Sequence, residues 1–110
     1  MDSNDSRALP RYPFAVDIEV IDLESRDQIK ARTKNVSLFG CGIDTLKIFP
    51  KGTNVGIKLS YGNEHILAKA RVVYSSQELG MGVAFLGIGP EYERILDGWI
   101  LQLNTTNRAN

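Results

Sequence analysis

From Phe14 to Phe85 the sequence keeps a two-residue period and interrupts it at short intervals with turn-forming residues. Phe14, Val16, Ile18 and Val20 alternate with Ala15, Asp17, Glu19 and Ile21, the pattern of a strand with one buried face. The polar stretch Glu24-Ser25-Arg26-Asp27 predicts a turn, and residues 28–38 predict a second strand. There Lys30, Arg32 and Lys34 share parity with Val36 and Leu38, and one face cannot be basic at one end and core at the other. A β-bulge near residues 33–36 resolves the conflict. Ile43 to Ile48 predict a third strand, and Phe49-Pro50-Lys51-Gly52 suits a type I turn. Val55, Ile57 and Leu59 mark a fourth strand, and Tyr61-Gly62-Asn63 closes a hairpin. Ile66, Ala68, Ala70, Val72 and Tyr74 line one face of a long fifth strand. Met81, Val83 and Phe85 mark a sixth.

After Gly89-Pro90 the period changes. Proline at the first helical position loses no intrahelical bond. Glu91 and Glu93 suit the helix dipole, and Ile95, Leu96, Trp99, Ile100 and Leu103 fall on one helical face. The pattern predicts an all-β fold: a small six-stranded antiparallel barrel, whose closure removes unpaired strand edges, with a C-terminal helix packed on it. The expected organisation is a loosely ordered polar segment over residues 1–13, the barrel and helix over 14–104, and a polar tail over 105–110.

A chain of 110 residues with 43% hydrophobic and 24% charged residues is one ordinary globular domain. Thirteen basic residues balance thirteen acidic ones. Zero net charge argues against a DNA or RNA binder, which needs an excess of cations to displace counterions, and against a polybasic membrane-surface protein. The single Cys41 fits a reducing compartment. Residues 1–6 have no signal-peptide character, and no apolar run is long enough for a membrane helix. The expectation is a cytoplasmic protein without membrane insertion.

Catalytic signatures are missing from the sequence. It has no Walker loop, no nucleophile elbow and no zinc-protease helix. Gly40-Cys41-Gly42 and Gly80-Met81-Gly82 are fragments of dinucleotide fingerprints that do not continue correctly. One His and one Cys do not make a metal site. His65 reads as an exposed strand-end imidazole, Cys41 as a buried inert thiol, and Trp99 as a helix-to-barrel packing residue. No catalytic residue, no metal ligand and no cofactor is expected.

Two short features remain. Arg7-Ala8-Leu9-Pro10-Arg11 sets two guanidiniums four residues apart before the first strand. Asn35-Val36-Ser37-Leu38-Phe39-Gly40 sets a polar pair ahead of a glycine turn. Together they resemble the signature of the PilZ domain, a bacterial receptor module for cyclic di-GMP: Arg-x-x-x-Arg, roughly two dozen residues, then Asp/Asn-x-Ser-x-x-Gly. Ala70-Arg71-Val72-Val73-Tyr74 and Gly82-Val83-Ala84-Phe85 are similar to the family's later strands, so the resemblance covers about residues 7 to 103. It implies a split six-stranded barrel with a C-terminal helix, and a non-catalytic receptor that passes its signal to an unidentified downstream protein. It also implies that Arg7 and Arg11 clamp the nucleotide while Asn35, Ser37 and Gly40 contact it from the barrel rim. Arg71 and Tyr74 fall where some members make further contacts.

The residue types suit that ligand. Arg presents a planar fork of donors that matches phosphate oxygens and the O6/N7 edge of guanine. The Asn35 amide oxygen and the Ser37 hydroxyl can accept from guanine N1–H and N2–H₂. Strand period sets residues 35 and 37 on one face, and Gly40 permits a tight turn and close approach. Two departures from the family pattern stand out. Asn35 replaces the commoner Asp, and Ser6 precedes Arg7 where many members carry another basic residue. Three other readings stay open. Asn35 and Ser37 can be serving turn chemistry alone. The barrel can be a degenerate protein-interaction adaptor without nucleotide binding. An oligonucleotide-binding barrel fits less well, for want of charge and of an aromatic platform.

Overall fold

The expected strands emerge as a barrel. The computed structural model describes the backbone of residues 12–109 and the side chains of residues 13–103. The strands are β1 (Tyr12–Pro13), β2 (Asp17–Asp22), β3 (Gln28–Ser37), β4 (Gly40–Asp44), β5 (Asn54–Tyr61), β6 (Glu64–Ser76) and β7 (Gly80–Ile88). The helix α1 spans Pro90–Ala109. Neighbouring strands are antiparallel, in the order β3-β2-β5-β6-β7-β4, and β4 pairs back with β3 to close a six-stranded barrel. The short β1 also pairs with β3, ahead of β2.

Closure works because inward positions are apolar on every wall. Ile18, Val20, Ile43, Leu59, Ile66, Val72 and Met81 are almost wholly shielded from solvent. The bulge expected in β3 is present: the β3–β4 register shifts between Thr33 and Asn35. Lys34 is turned outward while Thr33 and Val36 face the core, so cations and apolar residues of one parity reach opposite faces. Thr33 is buried yet satisfied. Its hydroxyl accepts from Val16 N–H (3.0 Å) and donates to the Phe14 carbonyl, which bridges the gap between β1 and β2. At the β2–β3 turn the Asp22 carboxylate accepts from the Glu24 and Ser25 amides. Those backbone bonds hold its carboxyl below the usual range.

Three element expectations need correction. The third strand is Gly40–Asp44, not residues 43–48. The chain leaves the sheet after Asp44, and Leu46 is exposed. The helix runs on to Ala109 through the segment read as a polar tail. Tyr74 does not continue the inward face of β6, because a register shift between Val72 and Tyr74 turns it outward.

The helix starts at Pro90, with Tyr92 and Glu93 donating to the Gly89 carbonyl. It packs on β6 and β1 through Leu96 and Trp99, with Tyr92, Ile95 and Ile100 beside them. Trp99 is 3% exposed, and its indole N–H donates to Glu64 Oε1 at 2.8 Å. Cys41 is buried and His65 exposed. No helix among the described residues is long and apolar enough to cross a membrane.

Candidate functional site

The β3 bulge and the register shift between Val72 and Tyr74 bring one row of residues together on the outer wall. Pro13 faces Asn35, Asn35 faces Gly42, Gly42 faces Gly82, and Gly82 faces Tyr74. The neighbouring strand residues Val36, Cys41, Ile43, Met81 and Val83 point inward and are buried. Strand alternation therefore aims this row outward.

Glycine makes the row what it is. A Cβ on Gly82 would lie 2.0 Å from Cε2 of Tyr74, so the tyrosine ring rests where a side chain would otherwise stand. A Cβ on Gly42 would lie 3.0 Å from Asn35 Oδ1, 3.1 Å from Asn35 Nδ2 and 3.2 Å from the Tyr74 hydroxyl. Amide and hydroxyl thus converge over bare backbone. The tyrosine ring, its hydroxyl and the Asn35 amide together fill the space over the two buried glycines.

Both acceptors proposed from the sequence already hold a bond. Asn35 Oδ1 accepts from Gly42 N–H at 3.0 Å. The Ser37 hydroxyl accepts from Phe39 N–H at 3.1 Å and donates to the Gly40 carbonyl at 3.3 Å. Ser37 is 5% exposed, beneath the Leu38–Phe39 turn. Turn chemistry is therefore part of what these residues do. A carbonyl oxygen has two lone pairs, so Asn35 keeps one acceptor site and both Nδ2 donors.

Gly40 is fixed by packing. A Cβ there would fall 2.1 Å from the Val83 carbonyl oxygen, which glycine alone avoids. Arg71 lies on the next row, facing Ala84, and its Nε donates to Asn54 Oδ1 at 3.2 Å. That bond draws it toward β5. Arg7 and Arg11 lie outside the described residues. In the sequence Gly42 and Gly82 read as fragments of dinucleotide fingerprints, although glycines inside strands signal close approach.

A second hollow, of about 560 Å³, lies elsewhere on the outer wall, where Ile21, Gly56, Lys58, Leu67, Gly87 and Tyr92 line it. Among the described residues no group of three or more His, Cys, Asp or Glu side chains is placed to hold a metal ion.

The architecture defines a closed antiparallel barrel with a C-terminal helix packed on it. The PilZ domain profile matches residues 5–102, and the chain belongs to that family, a family of cyclic di-GMP receptors. Comparison with curated proteins returns no match. Among solved structures, the PilZ domain with c-di-GMP of YcgR from Escherichia coli is 19% identical, with a TM-score of 0.73 and 96% of each chain covered. The PilZ domain of CeSA from a cellulose-synthesizing bacterium is 17% identical, with a TM-score of 0.67, covering 86% of this chain and 98% of that one. The Bacillus subtilis inhibitor of motility MotI/DgrA is 14% identical, with a TM-score of 0.73, covering 96% of this chain and 54% of that one. These likenesses concern the fold.

Proposed function

We propose that this chain is a non-catalytic receptor for cyclic di-GMP that passes occupancy to a partner protein in the cytoplasm. The observation that carries the reading is the seat of β1. Tyr12 lies opposite Val36 and Pro13 opposite Asn35. Arg11 is bonded to Tyr12, and consecutive Cα atoms are about 3.8 Å apart. The Arg-x-x-x-Arg leader therefore joins the barrel at the Asn-x-Ser-x-x-Gly segment, the two halves of one signature.

In this reading Arg7 and Arg11 take the phosphodiester oxygens and guanine edges. Asn35 accepts a guanine N–H with its remaining lone pair, and Tyr74 offers its ring beside it. Ser37 and Gly40 shape the turn over which the nucleotide lies. Fixing the leader costs about 1–2 kcal/mol per ordered residue, which the charge-assisted bonds must exceed. Occupancy thus changes the surface that a partner meets.

One observation favours a second reading. Ser37 is nearly buried, and its bonds stay within its own turn, as in a barrel that serves as an adaptor without a ligand. Titration calorimetry with cyclic di-GMP separates the two. A receptor gives saturable heat, and Arg11→Ala weakens binding about 10- to 100-fold, the loss of one charged hydrogen-bonded contact. No heat, or affinity untouched by Arg11→Ala, removes the receptor reading or its site.

A further inference from the structure

Phe14 follows β1 directly and stands three residues beyond Arg11. Its backbone is held on both sides. Phe14 N–H donates to the Lys34 carbonyl at 3.3 Å, and its own carbonyl accepts from the Thr33 hydroxyl. Its ring leaves the sheet and meets two others. Phe14 and Tyr61 have ring centroids 4.9 Å apart at 71°. Phe14 and Trp99 are 5.9 Å apart at 76°, and Tyr61 and Trp99 are 5.7 Å apart at 78°. All three pairs are edge-to-face, the arrangement aromatic quadrupoles favour.

The cluster joins three parts of the fold: the link from β1 to β2, the end of β5, and the middle of α1. It is not closed core, since Phe14 is half-buried and Tyr61 is 46% exposed. Trp99 is its buried member and is tied to the start of β6 through Glu64. Phe14 is three residues from Arg11 in the sequence, and its ring touches that of Trp99 in the helix. Edge-to-face pairs depend on angle as well as distance, so Trp99 responds to a rotation of Phe14 that leaves contact intact.

We infer that the Phe14–Tyr61–Trp99 cluster is a joint that couples nucleotide occupancy at the leader to the seating of α1, so that the helix is the element a partner reads. This rests on the receptor reading. Coupling of this kind is reciprocal: whatever reseats α1 changes nucleotide affinity by the same factor that the nucleotide changes the helix equilibrium.

The chain has one tryptophan, so its fluorescence reports on Trp99 alone when excited at the red edge of its absorption. Emission and calorimetric heat are followed in the same titration with cyclic di-GMP, with GMP at equal guanine concentration as control. The wild-type chain shows an emission change that saturates together with the heat, and GMP produces none. Phe14→Leu keeps the bulk and removes the ring. It retains binding within about tenfold, inside the usual range of coupling factors, but loses more than half of the emission response. Phe14→Tyr restores the response.

Heat without any emission change overturns the joint and leaves the receptor reading standing. The same change with GMP, or a full response in Phe14→Leu with normal binding, also overturns the joint. Absence of heat in the wild-type chain removes both.

Discussion

Two regions of the outer wall carry glycines, buried in the first and more open in the second, and they are built differently. In the first, Gly42 and Gly82 face each other between Asn35 and Tyr74, and the tyrosine ring covers them. In the second, Gly56 and Gly87 flank Lys69 in one cross-strand row and floor an open hollow walled by Ile21, Leu67 and Tyr92. The second is a hollow of about 560 Å³; the first has directed donors and acceptors and the seat of β1, which follows Arg11 in the sequence. An anionic purine nucleotide needs directed polar partners more than volume. On the proposed reading recognition therefore belongs to the first region, whereas the second is an apolar groove with lysines on its rim.

The largest expected effect separates glycines that serve packing from glycines that serve access. Gly40→Ala drives a Cβ toward the Val83 carbonyl, whereas a Cβ on Gly87 meets nothing within 4 Å. Gly40→Ala should cost about 3 kcal/mol, the upper part of the range for overpacking, and lower the melting temperature by roughly 10 °C or more. Gly87→Ala should stay within about 0.5 kcal/mol. Equal melting curves would mean that the β4–β7 wall is looser than described.

Next come the cations. Removing Arg7 and Arg11 together should weaken cyclic di-GMP binding by about a hundredfold or more, from the loss of two charged contacts. Removing Lys58 and Lys69 from the rim of the hollow should change it by less than about twofold, as exposed charges do. The opposite ranking would exchange the roles of the two regions. A smaller effect is expected from Gly82→Ala, which displaces the Tyr74 ring from its seat and should cost about tenfold in affinity, comparable to one aromatic contact. Unchanged binding in that variant would make Tyr74 a packing residue only. The smallest is a gain. Asn35→Asp keeps one oxygen for Gly42 N–H and presents a second, charged one to guanine donors, so affinity should rise about threefold to tenfold by calorimetry. A loss would show that the ligand meets the Nδ2 donors instead.

Much of this was legible in the sequence, and the reasons are specific. The β3 bulge could be read because Lys30, Arg32 and Lys34 conflicted in parity with Val36. No such conflict marked the bulge at Val72–Tyr74, where an unbroken run from Ile66 to Tyr74 passes for a single inward face. Tyr74 therefore read as strand lining, and only the pairing with Gly82 shows it on the outer wall. The glycines at 40 and 42 read as turn and fingerprint fragments. Their contacts come from Asn35 across the hairpin and from Val83 and Tyr74, the last two set opposite by the register of strands distant in sequence. The arginine pair and the Asn-x-Ser-x-x-Gly segment could be named because together they resemble the PilZ signature. That Ser37 would spend both bonds on its own turn could not, since the same residue type serves a ligand or a turn equally well.

The most direct test of the account is a map of backbone amide shifts in the labelled chain during titration with cyclic di-GMP. The account predicts saturating shifts at Asn35, Ser37, Gly40, Gly42, Tyr74 and Gly82, with Gly56 and Gly87 silent. Shifts centred on Gly56, Gly87 and Tyr92, with the β3–β4 rim unmoved, would contradict it.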